Sequence, residues 1–192
     1  MEPLLIFTDA AFSQSGHASW GVVIATADSF EVRSAAFSDR LASSVEAEAK
    51  ALANGLFLAA KAVLERPDAI SELVVYSDCE GVVKFVRGEA APRRRSAKEQ
   101  VNPALEEVHR QLKRLEGITV TFRWCRGHNG DNRPRVAELN AIADQAAGNA
   151  HPHFTARKRA KAAQKKRNRQ NRKNRARKAS LARACEAREE RS

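Results

Sequence analysis

Short apolar runs alternate with longer segments of helical spacing along the first 150 residues. The apolar runs and the stretches of alternating polarity predict strands at residues 4–8, 19–26, 30–37, 73–77 and 118–125. Leucine, valine and alanine at intervals of three and four predict helices at residues 43–65, 81–86, 101–115 and 135–148. The order β-β-β-α-β-α-α-β-α predicts an α/β fold, with a mixed five-stranded sheet (three antiparallel strands, then two parallel ones) flanked by helices.

Positive charge is concentrated at one end of the chain, whose formal net charge is +11. Residues 154–192 hold 16 Lys or Arg and 3 Glu, a net charge of +13, whereas the remaining residues carry −2. A segment this cationic, with few large apolar residues, cannot bury enough surface to offset its ordering entropy. We therefore predict an ordered domain at residues 1–150 and a largely disordered basic tail at residues 151–192. The tail is expected to bind nucleic-acid phosphates, with a solubilising role or a nuclear-targeting signal as alternatives.

Composition excludes several classes of protein. Charged residues make up 30% of the chain, and no apolar run approaches the roughly 20 residues of a transmembrane helix, so no membrane partner is expected. Cys79, Cys125 and Cys185 are too few and too scattered for a disulfide framework or a zinc site. With no sign of a secretory signal either, we expect a cytoplasmic monomer, or a nuclear one if the source is eukaryotic. The first two cysteines, Trp20 and Trp124 are expected to be packing residues.

Two aspartates directly follow apolar runs. Asp9 comes after the run at 4–8 and Asp78 after the run at 73–77. Carboxylates at strand ends lie at the edge of a sheet, where ligands of α/β folds bind. The ordinary alternative for either residue is a turn-forming or helix-capping aspartate.

The predicted helix at 43–65 begins with two glutamates. Ser43 and Glu46 have the spacing of a capping box, which gives Glu46 a structural role at the helix start. At about 100° per residue, Glu48 lies roughly 40° from Leu52 around the helix, and Glu46 lies about 120° away. The expected core face consists of Val45, Ala49, Leu52, Leu56, Ala59 and Val63. Glu48 is therefore expected to point inward.

A buried Glu48 would need compensation. An unpaired charge in an apolar interior is costly, and a cluster of Asp9, Glu48 and Asp78 would repel itself. A divalent cation relieves both costs. Oxygen ligands suit Mg²⁺ or Mn²⁺ better than zinc.

Five short motifs occur in a fixed order along residues 4–148. They are Phe-Thr-Asp-Ala at 7–10, Glu-Ala-Glu-Ala-Lys-Ala-Leu at 46–52, Tyr-Ser-Asp at 76–78, Trp-Cys-Arg-Gly-His at 124–128 and Asn-Ala-Ile-Ala-Asp-Gln-Ala-Ala at 140–147. Together they resemble the signature of type 1 ribonuclease H, whose element order is also the one predicted above. The resemblance implies a ribonuclease H-like domain.

The resemblance also implies an activity. Members hydrolyse the RNA strand of RNA–DNA hybrids with two Mg²⁺ or Mn²⁺ ions, one activating the attacking water and the other stabilising the leaving 3′-oxygen. The products carry 5′-phosphate and 3′-hydroxyl ends. Asp9 would bridge both ions, and Glu48, Asp78 and Asp144 would complete the set of ligands. His128, in a glycine-rich loop, would assist proton transfer or product release.

The chain departs from the family pattern at positions that would contact the hybrid. Ala10 replaces a frequent Gly, Ser44 and Val45 replace paired Asn residues, and Glu80 replaces a Gln. The resemblance places Ser44 and Glu80 at the minor groove and the 2′-hydroxyls.

Two further segments bear on the site. Arg93, Arg94 and Arg95 stand where the basic handle of some members begins, so they are candidate phosphate contacts. The interval from His128 to Asp144 is some six residues longer than in the family, which makes Asp131 a rival candidate ligand.

Two other functions stay open. A nucleic-acid-binding protein of the same fold with weak or lost catalysis would lack carboxylates, yet all four are present. Another nuclease of the wider ribonuclease H-like superfamily, such as an exonuclease or resolvase, would share the metals but not the Gly-His loop.

Overall fold

The computed structural model describes residues 3–89, 103–127 and 131–154 of the chain. It divides the chain into two units, residues 1–152 and 153–192, and the fold below belongs to the first. His128, the three arginines at 93–95 and the tail beyond residue 154 lie outside the described residues, so the predictions made for them stay predictions. The strands are β1 (Leu4–Phe12), β2 (Ala18–Ala25), β3 (Phe30–Ala36), β4 (Glu72–Ser77) and β5 (Thr119–Trp124), and the helices are α1 (Ser44–Glu65), α2 (Glu80–Val86), α3 (Pro103–Lys113) and α4 (Pro134–Ala150).

The strands form one mixed sheet in the order β3-β2-β1-β4-β5. Strands β1, β2 and β3 pair antiparallel, whereas β4 pairs parallel with both β1 and β5. The α/β fold predicted from the sequence is therefore confirmed.

Helices cover both faces of the sheet, because neighbouring residues of a strand point to opposite sides. Ile6 of β1 belongs to the core under α1 and α3, and Phe7 belongs to the core under α4. Helix α1 lies very close to β1, since a Cβ at Gly55 would stand 2.6 Å from Thr8 Cγ2. Each sheet face thus holds one helix layer in a fixed position.

Strand β1 is four residues longer than its apolar run. Its parallel pairing with β4 ends at Thr8 opposite Ser77, but its antiparallel pairing with β2 continues to Phe12 opposite Ala18. The expectation that Asp9 follows the strand was therefore wrong, because the hairpin with β2 carries the strand past it. Asp9 lies inside β1, one residue beyond the end of the parallel ladder.

Helix α1 begins with the predicted capping box. The Ser43 hydroxyl accepts a hydrogen bond from the Glu46 amide at 3.1 Å, and Glu46 Oε2 accepts one from the Ala42 amide at 2.7 Å. Val45, expected on the core face, is 49% exposed. The buried residues of α1 begin only at Ala47, so the first turn projects beyond the core.

The cysteines and tryptophans were predicted to be packing residues. Cys125 is fully buried, and its thiol donates to Asn140 Oδ1 at 3.3 Å. Cys79 and Trp20 pack against the core under α1. Trp124 was placed wrongly in the core: it is 41% exposed, because it ends β5 at the edge of the sheet.

Membrane-spanning segments were also sought. Within residues 3–89, 103–127 and 131–154, none of the helices combines the length and the hydrophobicity needed to cross a bilayer.

Candidate active site

Three carboxylates from separate elements meet at one edge of the sheet. Asp9 lies in β1, Asp78 directly follows β4, and Glu48 lies in the second turn of α1. One oxygen from each lies within 4.8 Å of the others. The end of the parallel ladder and the start of α1 therefore bring together the three residues that the sequence singled out.

Burial and mutual repulsion make it unfavourable for all three carboxyl groups of this cluster to be ionised at once. Burial, followed by the charges of Asp78 and Asp144, raises the pKa of Asp9 from 3.8 to about 8. Burial, followed by the charges of Asp9 and Asp78, raises the pKa of Glu48 from 4.5 to about 9. Both carboxyls are therefore largely protonated at neutral pH unless a cation compensates them.

The donor set fits a divalent cation. Glu48 Oε2 is buried and has no hydrogen-bond partner among the described residues. A buried carboxylate oxygen without a partner carries a desolvation cost that a metal ion would remove. Oxygen-only ligands are those that Mg²⁺ and Mn²⁺ prefer. The cluster could therefore hold such an ion.

Asp144 lies beside this cluster rather than within it. It is exposed on α4, and its side chain is hydrogen-bonded to that of Asp9. The close approach of α4 to β2 explains the contact. A Cβ at Gly21 would stand 2.2 Å from the Ala143 carbonyl oxygen and 2.6 Å from the Ala147 amide.

Gly21 is thus a positioning residue that sequence reasoning missed. It pairs with Asp9 across the antiparallel ladder, so the backbone of α4 touches the sheet at the level of the cluster. The Ser19 hydroxyl donates to the Ala147 carbonyl oxygen at 2.6 Å and fixes the same contact. A glycine inside a predicted strand was the available signal, since it often marks a close backbone approach.

The loop after β5 closes on Asp78. A Cβ at Gly127 would stand 2.5 Å from Asp78 Oδ2, so a larger residue there would displace the carboxylate from its present position. The Cys125 amide donates to the Ser77 carbonyl oxygen at 3.1 Å and extends the β4–β5 pairing to this point. Asp78 is therefore held between its own strand end and the following loop.

A family model described as RNase H matches residues 1–151. The chain belongs to the RNase H family. It is accordingly a ribonuclease H, a hydrolase of phosphodiester bonds from a family that depends on divalent metal. No curated protein sequence matches the chain.

Solved structures share the fold of this ribonuclease H at low identity. RNase H1 of the archaeon Halobacterium salinarum is 19% identical with a TM-score of 0.57, over 77% of this chain and 96% of the archaeal chain. The N-terminal RNase H domain of rv2228c from Mycobacterium tuberculosis is 19% identical with a TM-score of 0.59, over 83% and 99%. LC11-RNase H1, isolated from compost by a metagenomic approach, was solved in complex with an RNA/DNA hybrid; it is 20% identical with a TM-score of 0.56, over 77% and 95%.

Other sequence-predicted residues of this ribonuclease H do not join the carboxylates. Ser44 is exposed at the start of α1, and Glu80 is exposed and paired with Lys84 at 2.8 Å. Asp131 is not a rival ligand. It forms an ion pair with Arg133 at 2.7 Å, and the hydrogen bonds from Arg133 hold the pKa of Asp131 well below its usual range.

The raised pKa values predict how stability depends on pH without metal. A carboxyl whose pKa is higher in the folded than in the unfolded chain stabilises the fold in its protonated form. That contribution is complete below about pH 4 and is lost as the pH rises through about 8 to 9. With EDTA present, we expect the melting temperature to fall between pH 6 and pH 9, and Asp9→Asn to show a smaller fall. If the melting temperatures of the wild type and of Asp9→Asn fell by the same amount between pH 6 and pH 9, the raised pKa would not belong to Asp9.

Proposed function

We propose that this ribonuclease H cleaves the RNA strand of RNA–DNA hybrids by a two-metal mechanism that leaves 5′-phosphate and 3′-hydroxyl ends. The convergence of Asp9, Glu48 and Asp78 within 4.8 Å, with Asp144 against Asp9, carries the proposal. The hybrid bound to LC11-RNase H1, a similar fold, supports the class of substrate.

The four carboxylates would hold the ions. Asp9 lies close to both Asp78 and Asp144, which would suit a ligand shared by two ions. When bound, divalent ions lower the pKa of the attacking water and stabilise the charge that develops on the leaving 3′-oxygen. The carboxyls of Asp9 and Glu48 must lose their protons to act as ligands, so ion binding releases protons from this chain.

His128 is the remaining catalytic candidate. It follows Gly127, whose backbone lies against the Asp78 carboxylate. We propose that His128 assists proton transfer or product release. A histidine suits this role because its ordinary pKa lies near neutral pH.

Selectivity for the hybrid is tested by a panel of labelled duplexes. An RNA–DNA hybrid, duplex RNA and duplex DNA are each incubated with the full chain and Mg²⁺, Mn²⁺ or EDTA. We expect cleavage of the hybrid alone, and only with metal. Hybrid binding without cleavage would instead support a nucleic-acid-binding protein that has lost catalysis. Cleavage of duplex DNA would support a different nuclease of the superfamily.

The chain further divides, we propose, into a catalytic domain at 1–150 and a phosphate-binding tail at 151–192. The net charge of +13 over residues 154–192 supports this division, because cationic segments bind nucleic acids through counterion release. We also propose a cytoplasmic, reducing location, because the three cysteines of the sequence are too few and too scattered for a disulfide framework.

Removing residues 154–192 should weaken hybrid binding without lowering turnover at saturating substrate. Each lost phosphate contact lowers the log–log salt slope of affinity by about 0.9, so six lost contacts lower it by about five. KM measured at several salt concentrations, for the full and shortened chains, gives the two slopes. A chain whose tail is replaced by an equally long Gly/Ser sequence controls for length. Equal slopes for all three proteins would show that the tail does not engage the hybrid.

A further inference from the structure

A cleft of about 280 Å³ lies beside the acidic cluster. Its lining residues are Trp124, Arg126, Asp131, Asn132 and Arg133, and we call it the tryptophan cleft. The indole Nε1 of Trp124 donates a hydrogen bond to the Asp78 carbonyl oxygen at 3.0 Å. One wall of the cleft is therefore attached directly to a residue of the candidate metal site.

The far wall of the cleft is held rigidly. Asp131 accepts hydrogen bonds from the Arg126 amide at 3.2 Å and from Arg133 Nε at 2.8 Å, so it ties the segment after β5 to the start of α4. The Arg133 guanidinium also donates to the Trp124 carbonyl oxygen at 3.4 Å and lies over the Tyr76 ring. Asp131 and Arg133 are therefore engaged in contacts within the protein, and these contacts define the shape of the cleft without a ligand.

Two groups in the cleft are left for a ligand. The Cys125 side chain is buried against Asn140, whereas its neighbours Trp124 and Arg126 both line the cleft. The indole of Trp124 is 41% exposed. Arg126 is exposed as well, and its guanidinium forms no hydrogen bond or ion pair with any residue in the described ranges.

An exposed aromatic side chain beside an exposed guanidinium suits a nucleotide. Bases stack on aromatic side chains whatever their identity, and the arginine fork matches the oxygens of a phosphate. The volume is at the lower end of ligand pockets, which suits one nucleotide of a longer strand.

We propose that the tryptophan cleft binds the nucleotide next to the scissile phosphate, with its base on the Trp124 indole and its phosphate on Arg126. The proposal rests on the proposed function, because the acidic cluster defines where the scissile phosphate lies. It assigns to Trp124 and Arg126 a role in holding the substrate strand, which none of the carboxylates can fill.

The aromatic contact is tested by comparing Trp124→Phe with Trp124→Leu. Both variants lose the hydrogen bond to Asp78, so their difference isolates the aromatic face. Binding of a labelled hybrid is measured with Mg²⁺ in the full chain carrying Asp9→Asn, so that the substrate survives. Stacking on a side chain changes affinity about 5-fold to 150-fold, and we expect the Leu variant to bind at least about fivefold more weakly than the Phe variant. Equal Kd values would overturn the stacking role.

The phosphate contact is tested by Arg126→Gln against Arg66→Gln. Arg66 is the C-cap of α1, 18 residues and about 27 Å along the helix from Glu48, and its loss removes the same charge. We expect Arg126→Gln to weaken binding and to lower the salt slope by about 0.9, and Arg66→Gln to leave both nearly unchanged. Equal effects of the two substitutions would overturn the phosphate role.

A third readout needs no change in the cleft. In a chain with Trp20→Phe, Trp124 is the remaining tryptophan, and its fluorescence should change as hybrid saturates the protein. Unchanged emission at saturation would contradict binding of a nucleotide in the tryptophan cleft. This result does not depend on whether the Trp124 and Arg126 variants fold.

Wild-type cleavage, assayed alongside, separates the two proposals. If the wild type cleaves hybrid and neither pair of variants differs, the cleft is wrong and the proposed function stands. A wild type that neither binds nor cleaves hybrid overturns both.

Discussion

Replacing Asp9 with Asn should abolish cleavage of the hybrid while leaving the fold intact. Asp9 is 6% exposed and has Asp78 and Asp144 beside it, so its carboxylate is central to any ion held here. Metal ligands contribute several kcal/mol to catalysis, and about 3 kcal/mol corresponds to more than a hundredfold in rate. The metal-free variant should be as stable as the wild type or more so, because the substitution removes a buried group whose charge is repelled.

The measurements are turnover with Mg²⁺ and the melting temperature with EDTA. Asp28→Asn, in the exposed turn between β2 and β3, is the matched control and should leave both unchanged. Asp78→Asn should reproduce the loss of activity. An Asp9→Asn variant that retains more than about a tenth of the wild-type rate would rule out the two-metal assignment.

The two glutamates at the start of α1 should respond in opposite ways to the same substitution. Glu48→Gln should lower turnover at least about a hundredfold, because Glu48 Oε2 is buried without a partner and is available to a metal. Glu46→Gln should leave turnover nearly unchanged. Its oxygen accepts a hydrogen bond from the Ala42 amide, which a glutamine oxygen can also accept.

The two variants serve as controls for each other, since they differ by one half-turn of the same helix. Steady-state turnover at several Mg²⁺ concentrations, with circular dichroism to verify folding, gives the comparison. A larger loss in Glu46→Gln, or equal losses in both, would show that Glu48 is not the metal ligand of this helix.

The parts of the site that could be predicted follow from local rules. A capping box and a helical period were enough to separate Glu46 from Glu48, because both depend on residues within two turns. The strand ending before Asp78 was equally clear, because a parallel strand buried on both faces reads as a continuous apolar run. Fold class followed from the order of such elements.

The remaining features depend on contacts between distant segments. The length of β1 is set by its pairing with β2. The position of Asp144 is set by the close packing of the α4 backbone against Gly21. Whether Asp131 meets a metal or an arginine depends on how one loop folds over another. No periodicity encodes these contacts, although Gly21 inside a strand marked one of them.

The chemistry of the product ends tests the central claim most directly. The full chain cleaves a hybrid with labelled RNA in the presence of Mg²⁺, and the ends are identified by enzymatic ligation, which requires a 5′-phosphate and a 3′-hydroxyl. Attack by a water molecule activated at the carboxylate cluster predicts these ends, and no products with EDTA. Products ending in a 2′,3′-cyclic phosphate, formed equally well with EDTA, would show attack by the RNA's own 2′-hydroxyl and contradict the account.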